Sequence, residues 1–169
     1  MTNYTTIGTP VGDIMLVGVR DETSEQFALS GVYMIGQRHE PTPGPGWVRD
    51  EHPFADAEKQ LLAYFDGDLK DFDLPLAPAG SAFQRSVWTA LRDIPFGTTC
   101  AYGEVAQRVA DRTKTRAVAA AIGRNPIGIV VPCHRVVGAD GSLTGYAGGL
   151  PRKRWLLDHE ATVVGSMLA

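Results

Sequence analysis

Tyr102-Gly103-Glu104-Val105-Ala106, the polar turn Asp111-Arg112-Thr113, and Lys114-Thr115-Arg116-Ala117-Val118-Ala119-Ala120-Ala121-Ile122 decide how the second half of the chain is read. The first segment predicts a short helix ending near Ala110. The turn is too polar to continue it, and Lys114–Ile122 predicts a second helix dominated by small residues. Two short helices about a tight turn, the second with a basic start, have the form of a helix-turn-helix. A plain helical hairpin with no nucleic-acid role fits the same pattern. The alanines favour the first reading, because they would let a helix backbone come close to DNA.

Upstream, Ser81-x-x-Gln84 is a capping-box pattern ahead of Val87, Trp88 and Leu91 on one helical face, and Ile94-Pro95-Phe96-Gly97 stops that helix. Downstream of Asn125-Pro126, the β-branched run Ile127–Val131 predicts a buried strand leading into Pro132-Cys133-His134-Arg135. Gly138–Gly149, with five glycines and Tyr146, is a turning loop, and Arg152–Glu160 predicts a final helix carrying Trp155, Leu156 and Leu157. In the first half, Ile14–Val19 and Phe27–Ile35 predict strands, and the proline-rich Gln37–Trp47 a loop. Phe54, Ala57, Leu61, Leu62 and Phe65 then recur at helical spacing before Gly67. Asp66–Gly80, with Pro75 and Pro78, marks a boundary between units 1–80 and 81–169. The expected fold is α/β in the α+β sense. A small antiparallel sheet with one helix precedes a mainly helical unit that carries the helix-turn-helix and a strand bearing Cys133.

The chain has 169 residues, 44% hydrophobic and 21% charged, which suits one good-sized domain or two small ones and excludes intrinsic disorder. No apolar run approaches a membrane span, and Met1–Pro10 lacks the features of a secretory signal. The formal charge of -3 argues against a nucleic-acid partner only while it is taken whole. Residues 1–80 carry 5 basic and 13 acidic side chains, a net of -8; residues 81–169 carry 11 and 6, a net of +5. Such a division suggests a polyanion-facing half joined to an acidic one, although uneven scatter produces the same count. The cysteines, Cys100 and Cys133, do not form a disulfide framework, and no four-ligand zinc spacing accompanies them. No G-x-G-x-x-G or P-loop is present, so neither metal nor cofactor is expected.

Cys100, between Thr99 and Ala101, reads as a small buried hydrophobe. Cys133 does not, because a base and a cation, His134 and Arg135, follow it directly. A nucleophilic cysteine acts through its thiolate, and basic neighbours raise the ionised share. In an extended segment, adjacent side chains point to opposite faces, so His134 would need a bend after Pro132 or a bridging water. A carboxylate orienting the histidine would complete a relay. Glu160 is one candidate, and a solvated helix-end charge is the other reading of that residue.

Ile129-Val130-Val131-Pro132-Cys133-His134-Arg135-Val136-Val137 closely resembles the active-site signature of the O6-alkylguanine-DNA alkyltransferases. Phe83-Gln84-x-x-Val87-Trp88, Ile94-Pro95-x-Gly97, Ala101-Tyr102-Gly103, Arg116-Ala117-Val118, Asn125-Pro126, Gly145-Tyr146-x-Gly148-Gly149 and Leu156-Leu157-x-x-Glu160 follow in family order. These blocks span residues 83–160. Thr9-Pro10-Val11-Gly12 and the helix to Phe65-x-Gly67 match more loosely. The resemblance implies a ribonuclease-H-like first unit, a winged-helix-like second one, and a suicide repair reaction. In that reaction an O6-methylguanine (or, more weakly, O4-methylthymine) is flipped out of duplex DNA and its alkyl group passes irreversibly to Cys133.

By the same resemblance, His134 takes the thiol proton through water, Glu160 orients the imidazole, and Tyr102 protonates the departing base. Asn125 ties the helix-turn-helix to the cysteine segment. Arg116 fills the vacated stack from the minor groove. Gly103 belongs to the tyrosine block, and Tyr146, Ala147 and Gly148 form the pocket wall facing O6. Lys114, Arg124 and Arg152–Arg154 would touch phosphates. The implied partner is double-stranded DNA containing O6-alkylguanine, met by a cytoplasmic monomer, nucleoid-associated if the source is prokaryotic, that could assemble cooperatively on DNA. No membrane or small-molecule cofactor is implied. Ala147 departs from the Ser or Gly of many relatives, leaving the backbone N–H to polarise O6. A non-catalytic lesion-binding relative is the alternative, but such proteins lack the cysteine. A cysteine hydrolase would leave the basic helix pair without a purpose.

Overall fold

The computed structural model describes residues 1–168. Its first unit is a four-stranded sheet in the order β3-β2-β1-β4, formed by β1 (Thr2–Ile7), β2 (Ile14–Arg20), β3 (Phe27–Met34) and β4 (Val48–Arg49). β1 and β2 pair antiparallel from Thr2↔Val19 to Ile7↔Ile14; β2 and β3 are also antiparallel, and the short β4 joins β1 in parallel. β2 is buried from Ile14 to Gly18, which accounts for its unbroken apolar sequence. β1 was not legible in the sequence: Thr2-Asn3-Tyr4-Thr5-Thr6-Ile7 is β-branched but polar, and carries no apolar run.

A short 3₁₀ turn, His52–Phe54, leads into α1 (Ala55–Phe65), which buries Ala57, Leu61, Tyr64 and Phe65. The connection that follows is tied to β3. The Leu29 N–H bonds the Pro75 carbonyl at 2.9 Å and the Ala77 N–H bonds the Leu29 carbonyl at 2.8 Å, so the segment extends the sheet rather than hanging as a free linker.

The second unit opens with α2 (Ala82–Leu91), whose capping box forms as the sequence suggests: Ser81 accepts from the Gln84 N–H, and the Gln84 side chain accepts from the Ser81 N–H. The Trp88 indole N–H donates to the Ala121 carbonyl at 2.8 Å, joining α2 to α4 (Thr115–Gly123). Between them lie β5 (Cys100–Ala101), α3 (Tyr102–Val109) and a 3₁₀ turn, Arg112–Lys114. The helix pair about a polar turn is therefore present. Among the described residues no helix is long and apolar enough to cross a membrane.

Two expectations need correction. Ile127–Val131 is buried but is not a strand: only Ile127 pairs, in a single bridge to Val32, and Gly128–Val130 turn. Ile129 sits at φ 69°, a left-handed conformation that a β-branched residue adopts only when its surroundings impose it. Those surroundings are on both sides. The Gly128 N–H bonds Val32, the Val131 N–H bonds Ile127, and the Asn125 side chain holds both Ile127 and Val131. Cys133 is likewise not on a strand. Cys133–Arg135 is a 3₁₀ turn, and the strand proper, β6 (Val136–Val137), begins after it and pairs in parallel with β5. The final helix, α5 (Leu150–Leu168), continues well past Glu160. One apolar core runs through both units, including Leu16 and Leu61 from the first and Val87, Ile127 and Leu156 from the second.

Candidate active site

The 3₁₀ turn resolves the difficulty of adjacent catalytic residues. With three residues per turn, successive side chains diverge by about 120°. Cys133 lines a cavity of about 620 Å³, while His134 and Arg135 turn into the protein towards Glu160.

Glu160 is fully buried on α5 and is the hub of the site. Its Oε1 accepts from Arg135 Nε at 2.8 Å and from the Gly97 N–H at 3.1 Å. Its Oε2 accepts from the Tyr64 hydroxyl at 2.6 Å, from His134 Nε2 at 2.6 Å and from Arg135 Nη2 at 3.1 Å. Of the two readings of Glu160, the buried acid is the one its position shows. Burial alone would raise its carboxyl, but the hydrogen bonds from His134 and Arg135 and the Arg135 charge prevail and hold it well below the usual carboxylate range. Arg135 also donates to the Ile94 carbonyl at 2.7 Å and lies over the Phe96 ring at 5.5 Å.

Burial lowers the proton affinity of His134, against the pull of Glu160, so the ring is neutral near pH 7. The negative charge of Glu160 is already matched by Arg135, which is why the imidazole need not be charged. A neutral ring facing a carboxylate through Nε2 carries its proton there, and Nδ1 is left as the lone pair. Nδ1 is buried and has no hydrogen-bond partner among the described residues. Burial also pushes the Cys133 thiol up, against the Asn125 amide and the Lys153 charge. The residue therefore rests as a thiol. Burial outweighs the cationic charge of Lys153 at the thiol, and the Arg135 guanidinium is turned to Glu160.

The cavity is walled by α4 through Arg116, Ala119 and Ala120, and by the loop Thr144–Ala147; Tyr102 and Asn125 complete it. Tyr102 donates to the Thr144 carbonyl at 3.4 Å. Asn125 is buried; its Nδ2 donates to the Val131 carbonyl at 3.0 Å and its Oδ1 accepts from the Ile127 N–H at 3.0 Å, linking the end of α4 to the cysteine segment. Cys133, Tyr102, Asn125, Arg116, Tyr146 and Ala147 are thus brought together around one space, with His134 and Glu160 behind it. Gly103 and Gly148 do not line that space. A Cβ at Gly148 would come within 2.7 Å of Met34 and 2.8 Å of the Tyr146 ring, so close packing accounts for that glycine, whereas one at Gly103 would meet only the guanidinium end of the exposed Arg112.

Lys153 is not on the surface and cannot be a phosphate contact. It is wholly buried, and its Nζ donates to the carbonyls of Val136 at 2.6 Å, Thr144 at 2.9 Å and Gly145 at 3.3 Å, clamping the cavity loop to the segment after Cys133. Arg152 is also occupied, bonding the carbonyls of Val11 and Ile35 in the first unit. Lys114, Arg116, Arg124 and Arg154 are exposed. Sequence reasoning placed every functional residue in the basic half, but Tyr64 of α1 reaches Glu160, and Arg38 and His39 line the cavity. Of these only Tyr64 lay near a quoted motif, the helix to Phe65-x-Gly67; a contact across the two units leaves no local signal.

Two family models match the chain: the ribonuclease-like domain of 6-O-methylguanine DNA methyltransferase over residues 3–78, and the DNA binding domain of the same family over residues 82–162. A methylated-DNA–protein-cysteine methyltransferase of Methanosarcina acetivorans is 46% identical over 159 residues, covering 94% of this chain and 98% of the relative. One from Mycolicibacterium paratuberculosis is 48% identical over 157 residues, covering 93% and 91%. Among solved structures, Mycobacterium tuberculosis OGT in complex with DNA superimposes with a TM-score of 0.86 at 44% identity, covering 95% of this chain and 94% of that one. With both units matched in sequence and the whole chain matched in shape, this protein belongs to the methylated-DNA–protein-cysteine methyltransferase family.

Proposed function

We propose that the protein reverses alkylation damage in duplex DNA by moving the alkyl group from O6-alkylguanine to Cys133, once per molecule. The observation that carries this reading is geometric: Cys133 lines a cavity large enough for a purine, and the next residue in the chain, His134, bonds the buried Glu160 through Nε2 and keeps Nδ1 without a partner among the described residues. The site opens next to α4, whose exposed Arg116 and small residues suit a DNA groove. The lesion must be flipped to reach it.

In the proposed step the thiol proton passes through water to His134 Nδ1. The sulfur attacks the alkyl carbon in line, a C–S bond forms and the carbon–O6 bond breaks. The imidazolium is held by Glu160. Guanine departs with its electron pair and receives a proton from the Tyr102 hydroxyl, which is restored from the imidazolium through solvent. The products are unmodified guanine and a thioether. The backbone N–H at Ala147 polarises O6. No group in the site returns the thioether to a thiol, so the reaction is stoichiometric. Methylated guanine is the expected lesion, with O4-methylthymine a weaker one. The reaction needs a reduced thiol and chromosomal DNA, which places it in a reducing, DNA-containing compartment, the cytoplasm of a prokaryote. The protein acts as a monomer.

Mass spectrometry after incubation with an O6-methylguanine duplex tests the proposal: one methyl group per chain is expected on Cys133. Unmodified Cys133, or repeated turnover, overturns it. Arg116→Ala should slow repair in duplex DNA by about tenfold or more while sparing attack on the free modified base. Loss of a stacked guanidinium removes about 1–3 kcal/mol of flipped-state stabilisation. Equal losses on both substrates, in single-turnover kinetics, would remove Arg116 from that role.

A further inference from the structure

We propose that Tyr64, a residue of the first unit, is a positioning residue for the proton relay: its hydroxyl, on the same Glu160 oxygen as His134 Nε2, sets how strongly the imidazole holds a proton. This rests on the functional reading above and deepens it.

The geometry is specific. Tyr64 is fully buried on α1 and donates to Glu160 Oε2 at 2.6 Å, and His134 Nε2 meets the same atom at 2.6 Å. Two short donors on one oxygen compete for its electron density. Each draws charge from the carboxylate and weakens its hold on the other's proton. Other groups face the pair: Arg135 from the 3₁₀ turn, Lys153 from α5, Tyr146 from the cavity loop, and the Gly97 N–H from the turn after α2. Arg135 keeps Glu160 charged. Its Nη2 contact to Oε2 is longer, at 3.1 Å, than either contact made by Tyr64 or His134.

The hydroxyl has a consequence for the reaction. A relay base must be unprotonated before the thiol gives up its proton, yet basic enough to accept it. With the Tyr64 hydroxyl in place, Oε2 is a tempered acceptor and His134 rests neutral. Without it, Oε2 pulls harder on the Nε2 proton and the ring gains proton affinity. The ring of Tyr64 is separately fixed by edge contacts with Phe65, Phe96 and His159, and its carbonyl accepts from His159 Nε2 at 2.7 Å. Removing only the oxygen therefore leaves the packing in place.

The test compares wild type, Tyr64→Phe, and protein with a ring-fluorinated tyrosine placed at position 64. The readouts are the pH profile of single-turnover transfer from O6-methylguanine DNA and the titration of the His134 ring nitrogens by NMR. Tyr64→Phe should move the acid limb and the His134 titration upward by about half a unit or more. The fluorinated ring is a stronger donor and should move both downward. A structural role for the hydroxyl would lower the rate equally at all pH values and shift neither. Unchanged His134 titration in both proteins, or shifts of the same sign, overturns the inference. Should Tyr64→Phe fail to fold, the fluorinated protein still decides it. Wild-type protein that transfers no methyl group would instead refute the functional reading, while the NMR titration stands independently of activity.

Discussion

Cys133→Ser abolishes methyl transfer while preserving the fold and binding to a lesion-bearing duplex. Serine is close to cysteine in size, so the cavity wall is retained, and stability should fall by less than about 2 kcal/mol. The chemistry is another matter. Burial opposes the charge of the Cys133 thiolate, and in the proposed step His134 takes the thiol proton. An alcohol is far harder to deprotonate, and its oxygen is a poorer nucleophile for a saturated carbon. Losing a nucleophile of this kind costs at least roughly four orders of magnitude in rate. Transfer of labelled methyl from duplex DNA should drop below detection, with affinity unchanged by gel shift. Label appearing on Cys100 would show that a different thiol is the acceptor. Cys100 is half-buried on β5 and does not line the cavity.

Glu160→Gln should damage both stability and chemistry, and pH separates the two. The substitution leaves Arg135 buried without its counter-charge and turns an acceptor into a partial donor facing donors. Breaking a buried ion pair from one side costs about 3–5 kcal/mol, which for a chain of this size lowers Tm by roughly 10 °C. The transfer rate at temperatures well below that Tm should fall by about 10²–10⁴, since the imidazolium loses the anion that stabilises it.

The wild-type acid profile follows from the same two groups. Both have folded-state proton affinities below their ordinary values of 6.5 for His134 and 4.5 for Glu160. The folded state therefore binds protons less readily than the unfolded chain. Stability is greatest above pH 6.5, begins to fall below it through His134, and falls further below pH 4.5 through Glu160. Glu160→Gln removes the second phase. Urea unfolding between pH 3 and pH 8, which are ordinary experimental limits, should show the two stabilities converging in acid. Parallel curves would mean that Glu160 is not charged in the folded protein.

Much of the architecture was legible because it is written in local pattern. The apolar run of β2, the Ser81/Gln84 box and the helix pair about Asp111–Thr113 each depend on residues close in sequence. The missed or misread parts depend on distant partners. Ile127–Val131 has the composition of a strand, but Asn125 and Val32 use up its hydrogen bonds and force Ile129 into a left-handed turn. Lys153 looks like its basic neighbours Arg152 and Arg154 until three carbonyls from β6 and the cavity loop surround it. Glu160 had two readings in the sequence because the groups that choose between them, Tyr64 and Gly97, lie far away in the chain.

The hydrogen bond between Tyr64 and Glu160 spans 96 positions of sequence, and α5, which carries Glu160, follows every other described element in the chain. Contacts of such separation form late, after local helices and hairpins, because a long loop must be closed first. A ribosome that has released the chain as far as Cys133 has made a peptide with an ordinary cysteine, its histidine unanchored and its pocket unwalled. The hydrogen bonds that join His134 and Tyr64 through Glu160 form only when α5 docks across both units. For an acceptor that is spent in one reaction, the order of synthesis ties assembly of the Tyr64–Glu160–His134 network to the docking of α5.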